Sequence, residues 1–291
     1  MDGQRRQGHL FAAFSVLLWS TTFVSTKILQ TTFSSLEILF IRFCIGYVVL
    51  ILMHPRPARF AGLGREFDFA LAGLLGIMLY YLCENIALEH TGAANVSVLV
   101  STAPFFITLV YKIFRWNETR ITRRFLIGFA VTFSGLVMTC LPADGGFSIN
   151  PLGDGIALAA AMVWAFYSFV IDRVNAGGGN IIANTRRTFL YGILFMIPLM
   201  VFDGFSVTLD EVMRPVNLFN LMFLGVGASA LCFASWSGAM KRLGPLVSGC
   251  YIYIIPAVTT FFSFIILGEA ITPATLAGTA LVILGLFVSN R

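Results

Sequence analysis

With 291 residues, 58% of them hydrophobic and only 11% charged, the chain falls well below the roughly one-quarter charged residues of a soluble protein. A mean hydropathy of +0.87 and 29 phenylalanines place most of its surface against something other than water, which excludes a soluble enzyme. The formal charge of +5 points to no nucleic-acid partner, because basic residues gather in the cytoplasmic connections of membrane proteins.

Taken in chain order, apolar windows bounded by charge, proline or glycine predict ten spans. They are approximately 10–29, 36–53, 67–88, 93–113, 122–141, 153–172, 182–202, 217–240, 246–267 and 273–289. Ten helices of about 20 residues use about 200 residues, so no sizeable soluble domain fits. The first run, Leu10 to Leu29, follows Arg5 and Arg6. It is longer than a signal-peptide core and lacks a small-residue cleavage site, so it reads as an uncleaved first helix. The spans show no period-2 alternation, which excludes a transmembrane barrel and leaves an all-α bundle.

Alternate connections are basic: Arg5 and Arg6; Arg56, Arg59 and Arg65; Lys112, Arg115, Arg120, Arg123 and Arg124; Arg173; Lys241 and Arg242; and Arg291. The connections between them are nearly free of Lys and Arg, which predicts that both termini are cytoplasmic. The same alternation would fail with nine or eleven spans.

The halves repeat. Trp19 aligns with Trp164 and Arg42 with Arg187, at an offset of 145. Gly92-Ala93-Ala94 precedes Pro104 as Gly244-Pro245-Leu246 precedes Pro256, at 152, and Gly128/Gly278 and Gly135/Gly285 pair at 150. The expected halves are residues 1–145 and 146–291. Each holds five spans, an odd number, so the second enters the membrane from the opposite side. Inverted repeats of this kind recur in secondary transporters.

The segment Gly244 to Leu286, with Pro256, "LGEAIT" at 267–272, Gly278 and Gly285, resembles the closing half of an EamA-type repeat. Gly92 to Val137 is a weaker copy, in which "RWNET" stands for "LGEAI" and the glycine is lost. Nearly the whole chain is thus similar to a ten-helix carrier of the drug/metabolite transporter superfamily. By overall likeness it is most similar to bacterial exporters of aromatic and other neutral amino acids. The resemblance implies a bacterial inner-membrane carrier with cytoplasmic termini, amino-acid substrates, no cofactor and no catalytic residue.

Polar and aromatic side chains that interrupt the spans are the candidate cavity: Tyr80, Tyr81, Glu84 and Asn85; Ser97 and Ser101; Trp164 and Tyr167; Trp236 and Ser237; Ser248 and Tyr251. A zwitterion needs hydrogen-bonding groups at its backbone end and a tolerant apolar wall around its side chain. Asn85 and the serines suit the first need, and Trp164, Tyr167 and Tyr251 the second. Against this, Tyr80, Tyr81 and Trp116 also read as interfacial belt residues. Glu84 reads either as a binding or proton-carrying acid, since intramembrane charge is costly, or as a residue near enough the surface to reach water. Arg42 and Arg187 are expected to brace the scaffold on carbonyls or acids, and Lys27 to snorkel.

Pro104 and Pro256, mid-span in equivalent helices, are candidate hinges; Pro198 has no such partner and reads as a static bend. The glycine pairs and Ala157, Ala161 and Ala165 read as packing seams. Cys44, Cys83, Cys140, Cys232 and Cys250 form no CxxC and read as small hydrophobes. His9, His54 and His90 form no metal motif. No Walker A sequence is present, and Gly177-Gly178-Gly179 reads as a flexible loop.

A nucleotide-sugar carrier would want more than Arg42 and Arg187 near the midplane, whereas an aromatic cavity would also suit a multidrug or other metabolite exporter. An intramembrane enzyme would need a nucleophile–base pair that is absent from the spans. A membrane scaffold would not need paired proline kinks.

Overall fold

The computed structural model describes residues 3–56, 60, 62–115, 122–139 and 150–289. The chain is an all-α polytopic membrane protein, with no strand among the described residues. Among the described residues, ten rods follow the predicted spans. They are α1 (Gly3–Leu29), α2 (Ser35–Met53), α3 (Leu63–His90), α4 (Ala93–Phe114), α5 (Arg123–Thr139), α6 (Pro151–Ala176), α7 (Ile181–Asp203), α8 (Pro215–Leu243), α9 (Pro245–Leu267) and α10 (Pro273–Ser289). All but α5 and α10 are long and apolar enough to cross a bilayer. A short helix, Leu209–Met213, precedes α8. Trp116, Cys140, most of "RWNET" and the expected boundary at 145/146 lie outside the described residues.

Local chemistry sets the ends. Ser34 and Glu37 form a reciprocal capping box at the start of α2, and Asn150 and Asn180 cap α6 and α7. The first helix reaches back beyond Leu10 to Gly3: Gln4 to Gln7 are good helix formers, and Gly8, which disfavours helix, lies where a Cβ would press on Leu243 and Arg242 at the end of α8. Lys27 does not snorkel. Its Nζ donates to the Leu88 and Thr91 carbonyls at 2.5 and 2.9 Å, so the cation satisfies the exposed carbonyl end of α3. In the triple-glycine loop the Gly178 carbonyl accepts from Arg65 and Asn184.

The fold is two inverted-topology repeats of five helices, and contacts between equivalent positions are reciprocal, as a twofold relation requires. A Cβ on Gly135 would lie 2.6 Å from the Gly278 carbonyl oxygen, and one on Gly285 would lie 2.6 Å from that of Gly128. The glycines therefore let α5 and α10 touch backbone to backbone, the close packing that association in lipid favours. Ala157, Ala161 and Ala165 are likewise fully buried along α6.

Both α3 and α8 widen in their middles to π-helical stretches, Gly73–Leu79 and Phe223–Leu231. At the 152-residue offset, the two stretches end at equivalent positions. Gly73 lies against the α7 backbone at Thr188 and Gly192, and Gly225 against Ile45 and the Arg42 carbonyl of α2.

The inner helices α4 and α9 break at equivalent places too. In α4 the helix stops at Val100, turns through Ser101 and Thr102, and resumes with Pro104 in its first turn. In α9 a 3₁₀ stretch, Cys250–Ile254, gives way to an α-helix with Pro256 in its first turn. A proline lacks the N–H that would continue the ladder, so the discontinuity sits just ahead of it. By contrast, Pro198 lies inside an uninterrupted α7.

At its far end, α9 stops on Gly268 in a left-handed conformation. The chain then presents Glu269 to the start of α4, where its carboxylate accepts from the Ala93 and Ala94 N–H groups at 2.8 and 3.2 Å. A carboxylate on free N–H groups at a helix start is a favourable cap. Glu269→Ala is expected to cost about 1 kcal/mol, read as a lower melting temperature of the purified protein. An unchanged melting temperature would mean that water replaces the cap.

Candidate functional site: a closed aromatic cavity

The two helix breaks border a cavity among α1, α3, α4, α6 and α9. It is lined by Trp19, Thr22 and Phe23 of α1, Tyr80, Tyr81 and Glu84 of α3, and Val100 and Ala103 of α4. Trp164 of α6 and Ile252 and Ile255 of α9 complete the wall. Irregular backbone is tolerated at membrane depth where it faces a cavity or other protein, and here the turn before each proline does so. The cavity measures about 20 Å³. That is room for one water, far below the roughly 300 Å³ of an ordinary ligand pocket. In this conformation the cavity has no room for a ligand of that size. A larger open groove of about 550 Å³ lies at the ends of α2, α3 and α7, but none of the candidate residues lines it.

Five of the eleven lining residues are aromatic. Trp19 and Trp164, the repeat-equivalent pair, meet edge to face at 5.5 Å. Trp236 packs on Trp19 at 5.2 Å, Tyr80 on Trp164 at 4.7 Å, and Tyr167 on Trp164 at 5.0 Å. Phe233 touches Trp19, and Phe43 joins the cluster through Tyr81.

The candidate residues separate by what their polar atoms do. Tyr80, Tyr81, Glu84 and Trp164 line the cavity, so the belt reading of the two tyrosines and the surface reading of Glu84 do not hold. Glu84 is 2% exposed, and its Oε1 has no hydrogen-bond partner. The indole N–H groups of Trp164 and Trp236 and the hydroxyls of Ser237 and Ser248 are also buried without partners. Such orphans are rare and costly in a folded protein. Tyr167 stands behind Trp164, its ring filling the space a side chain at Gly76 would need.

Other candidates have some or all of their hydrogen bonding committed elsewhere. Ser97 and Ser101 donate to the Ala94 and Ser97 carbonyls one turn back, the ordinary back-bonding of helical serines. Asn85 donates from its amide nitrogen to the Ser35 carbonyl at 3.1 Å and staples α3 to α2, while its buried Oδ1 has no partner. Tyr251 bonds His9 at 2.7 Å and does not line the cavity. Pro104 and Pro256 lie just beyond the lining residues Ala103 and Ile255.

Sequence reasoning missed Trp19, Thr22, Phe23, Val100, Ala103, Ile252 and Ile255 as lining residues. Only Trp19 carried a signal, its alignment with Trp164. The bracing expected of two arginines holds for one. Arg187 pairs with Glu66. Arg42 is wholly buried and contacts no acid, because its helix packs it against the Tyr81 ring and the Ser229 hydroxyl.

The sequence matches the EamA-like transporter family over residues 6–141 and again over 151–291. The chain belongs to that family. It is a transporter, not an enzyme. It is 25% identical to an uncharacterized transporter of Clostridium kluyveri, over 98% of this chain and 93% of that protein. It is 30% identical to a "probable terminal-alkyne amino-acid exporter" of Streptantibioticus cattleyicolor, over 76% of this chain and 72% of that one. A solved crystal structure, 21% identical, superimposes with a TM-score of 0.72 over 97% of both chains, which shows the shared fold.

Proposed function

We propose that this transporter exports amino acids, aromatic and other neutral ones, across a bacterial inner membrane by alternating access. The observation that carries the reading is the cavity: aromatic, polar at a few unpartnered atoms, and closed to about 20 Å³ between two broken helices. A void that admits one water must enlarge before it takes an amino acid, and the breaks before Pro104 and Pro256 are where the inner helices would bend. The exporter named among the relatives supports the substrate class.

In this reading Tyr80, Tyr81, Glu84 and Trp164 touch the substrate. Trp236, Tyr167, Ser237 and Ser248 form the layer behind them, Asn85 and Tyr251 tie neighbouring helices together, and Ser97 and Ser101 bond back onto their own helix. The repeats 1–145 and 146–291 exchange roles between the inward-open and outward-open states, with both termini cytoplasmic. The partners are the amino-acid substrate and membrane lipid.

The test is efflux of labelled phenylalanine, threonine or glutamate from proteoliposomes, compared with empty liposomes. Saturable efflux is expected. Trp164→Ala is expected to reduce phenylalanine efflux at least tenfold, because it removes the ring that Trp19, Tyr80 and Tyr167 all touch. Folded protein that moves none of the three would sink the amino-acid reading and favour a multidrug or other metabolite exporter. Wild-type efflux retained in Trp164→Ala would remove Trp164 from the site.

A further inference from the structure

Two opposite charges lie buried side by side around Tyr81 without meeting. Arg42 begins deep in α2, seven residues from its first residue, and Glu84 lies six residues before the end of α3. At 1.5 Å per residue both are roughly 10 Å in from the same end of the bundle. The Arg42 guanidinium sits 4.5 Å from the Tyr81 ring centre and 5.3 Å from that of Phe43. Its Nε donates to Ser229 at 3.1 Å, while Nη1 and Nη2 have no hydrogen-bond partner. Three residues on from Tyr81, on the same face of α3, Glu84 lines the cavity; Tyr80 hydrogen-bonds its carboxylate, and Oε1 has no partner. No ion pair joins the two.

Arginine stays charged in proteins, and an unpaired buried charge is among the most expensive features a fold carries. Contact with aromatic faces offsets part of that cost for Arg42 but leaves two guanidinium nitrogens empty. If the pair served only stability, the two side chains would be bonded to each other. Held apart, with Tyr81 shared between the cavity wall and the guanidinium, they match a ligand that brings one charge of each sign.

We infer that Arg42 and Glu84 are the two halves of a split ion pair that a zwitterion completes, its carboxylate on Arg42 and its ammonium on Glu84, with the Tyr81 ring covering Arg42 in this conformation. This rests on the amino-acid reading above and names the groups that read the substrate's backbone end. A carboxylate would take the free guanidinium fork in a charge-assisted bond. Tyr81 must swing aside for that, so binding and enlargement of the cavity are one event.

The experiment uses wild-type protein in proteoliposomes with three labelled solutes: phenylalanine, phenethylamine, which lacks the carboxylate, and 3-phenylpropionate, which lacks the ammonium. Wild type is expected to move phenylalanine at least tenfold faster than either analogue. Arg42→Gln should bring the ratio over phenethylamine to within about threefold and leave the ratio over 3-phenylpropionate, and Glu84→Gln should do the converse. Arg42→Lys, which keeps the charge, should keep the preference for phenylalanine over the amine. Phenethylamine moved as fast as phenylalanine by wild type overturns the inference without any variant, which covers the case that Arg42→Gln does not fold. Unchanged ratios in folded Arg42→Gln and Glu84→Gln overturn it as well. Absence of phenylalanine efflux from wild type, by contrast, overturns the amino-acid reading itself.

Discussion

Pro256→Ala is expected to slow export about tenfold, a barrier increase of about 1.4 kcal/mol, while the substrate concentration giving half-maximal rate stays within about twofold. An alanine at 256 regains an N–H that the Ile252 carbonyl can accept, which would extend the α-helical ladder back into the 3₁₀ stretch Cys250–Ile254. The lining residue Ile252 lies within that stretch and Ile255 directly follows it, so a continuous helix would limit how far they can move. Pro104→Ala should act in the same direction through the turn at Ser101 and Thr102. Both prolines lie in the first turn of a resumed helix, where proline is tolerated. Replacement should therefore leave the melting temperature equal or higher. A slower rate in a protein of undiminished stability separates a hinge from a damaged fold. Rates equal to wild type in both variants would make the breaks static features of packing.

Gly73→Leu and Gly225→Leu are each expected to lower the melting temperature sharply or to prevent recovery of monodisperse protein. A Cβ at 73 would stand 2.7 Å from the Gly192 nitrogen and the Thr188 carbonyl oxygen, and one at 225 would stand 2.6 Å from Ile45 and 3.1 Å from the Arg42 carbonyl oxygen. Backbone cannot rotate away as a side chain can, so α3 would part from α7, or α8 from α2. Overpacking of this kind costs about 1–3 kcal/mol and at times more. Gly155→Ala is the control, since a Cβ there meets open space, and it should change nothing measurable. Equal melting curves for all three would mean that the π stretches yield to fill and refill the crossing.

The bundle was legible in the sequence because membrane solvation leaves few solutions: apolar windows of sufficient length, punctuated by charge, become helices. Pseudo-symmetry was legible through residues whose spacing the packing constrains, such as the Trp19/Trp164 pair and the glycines of α5 and α10. The site was legible only in part. Sequence can nominate a serine within a span, but not whether its hydroxyl turns back onto its own helix, as at Ser97 and Ser101, or remains unpaired, as at Ser237 and Ser248. Tyr251 was nominated for the cavity and is held instead by His9, 242 residues away in the chain, a contact that no local pattern announces. Arg42 and Arg187 were read together as braces, because they are repeat-equivalent and lie within or near the ends of their spans. What distinguishes them is Glu66, which stands beside Arg187 alone. The aliphatic lining residues Val100, Ala103, Ile252 and Ile255 look like any lipid-facing residue until the broken turns place them at the centre.

The glycine contacts between α5 and α10 also bear on how the two halves of such a chain drift apart. The space beside Gly135 is filled by a carbonyl from the second half, and the space beside Gly285 by one from the first. A larger side chain at either position would be opposed by backbone that the other half contributes, so neither copy is free to diverge there on its own. Along the lipid-facing flanks, where exposed phenylalanines and leucines abound, many apolar side chains serve equally well and the copies are free to part. An ancient duplication would thus stay visible as a few spaced glycines long after the surrounding text has been rewritten.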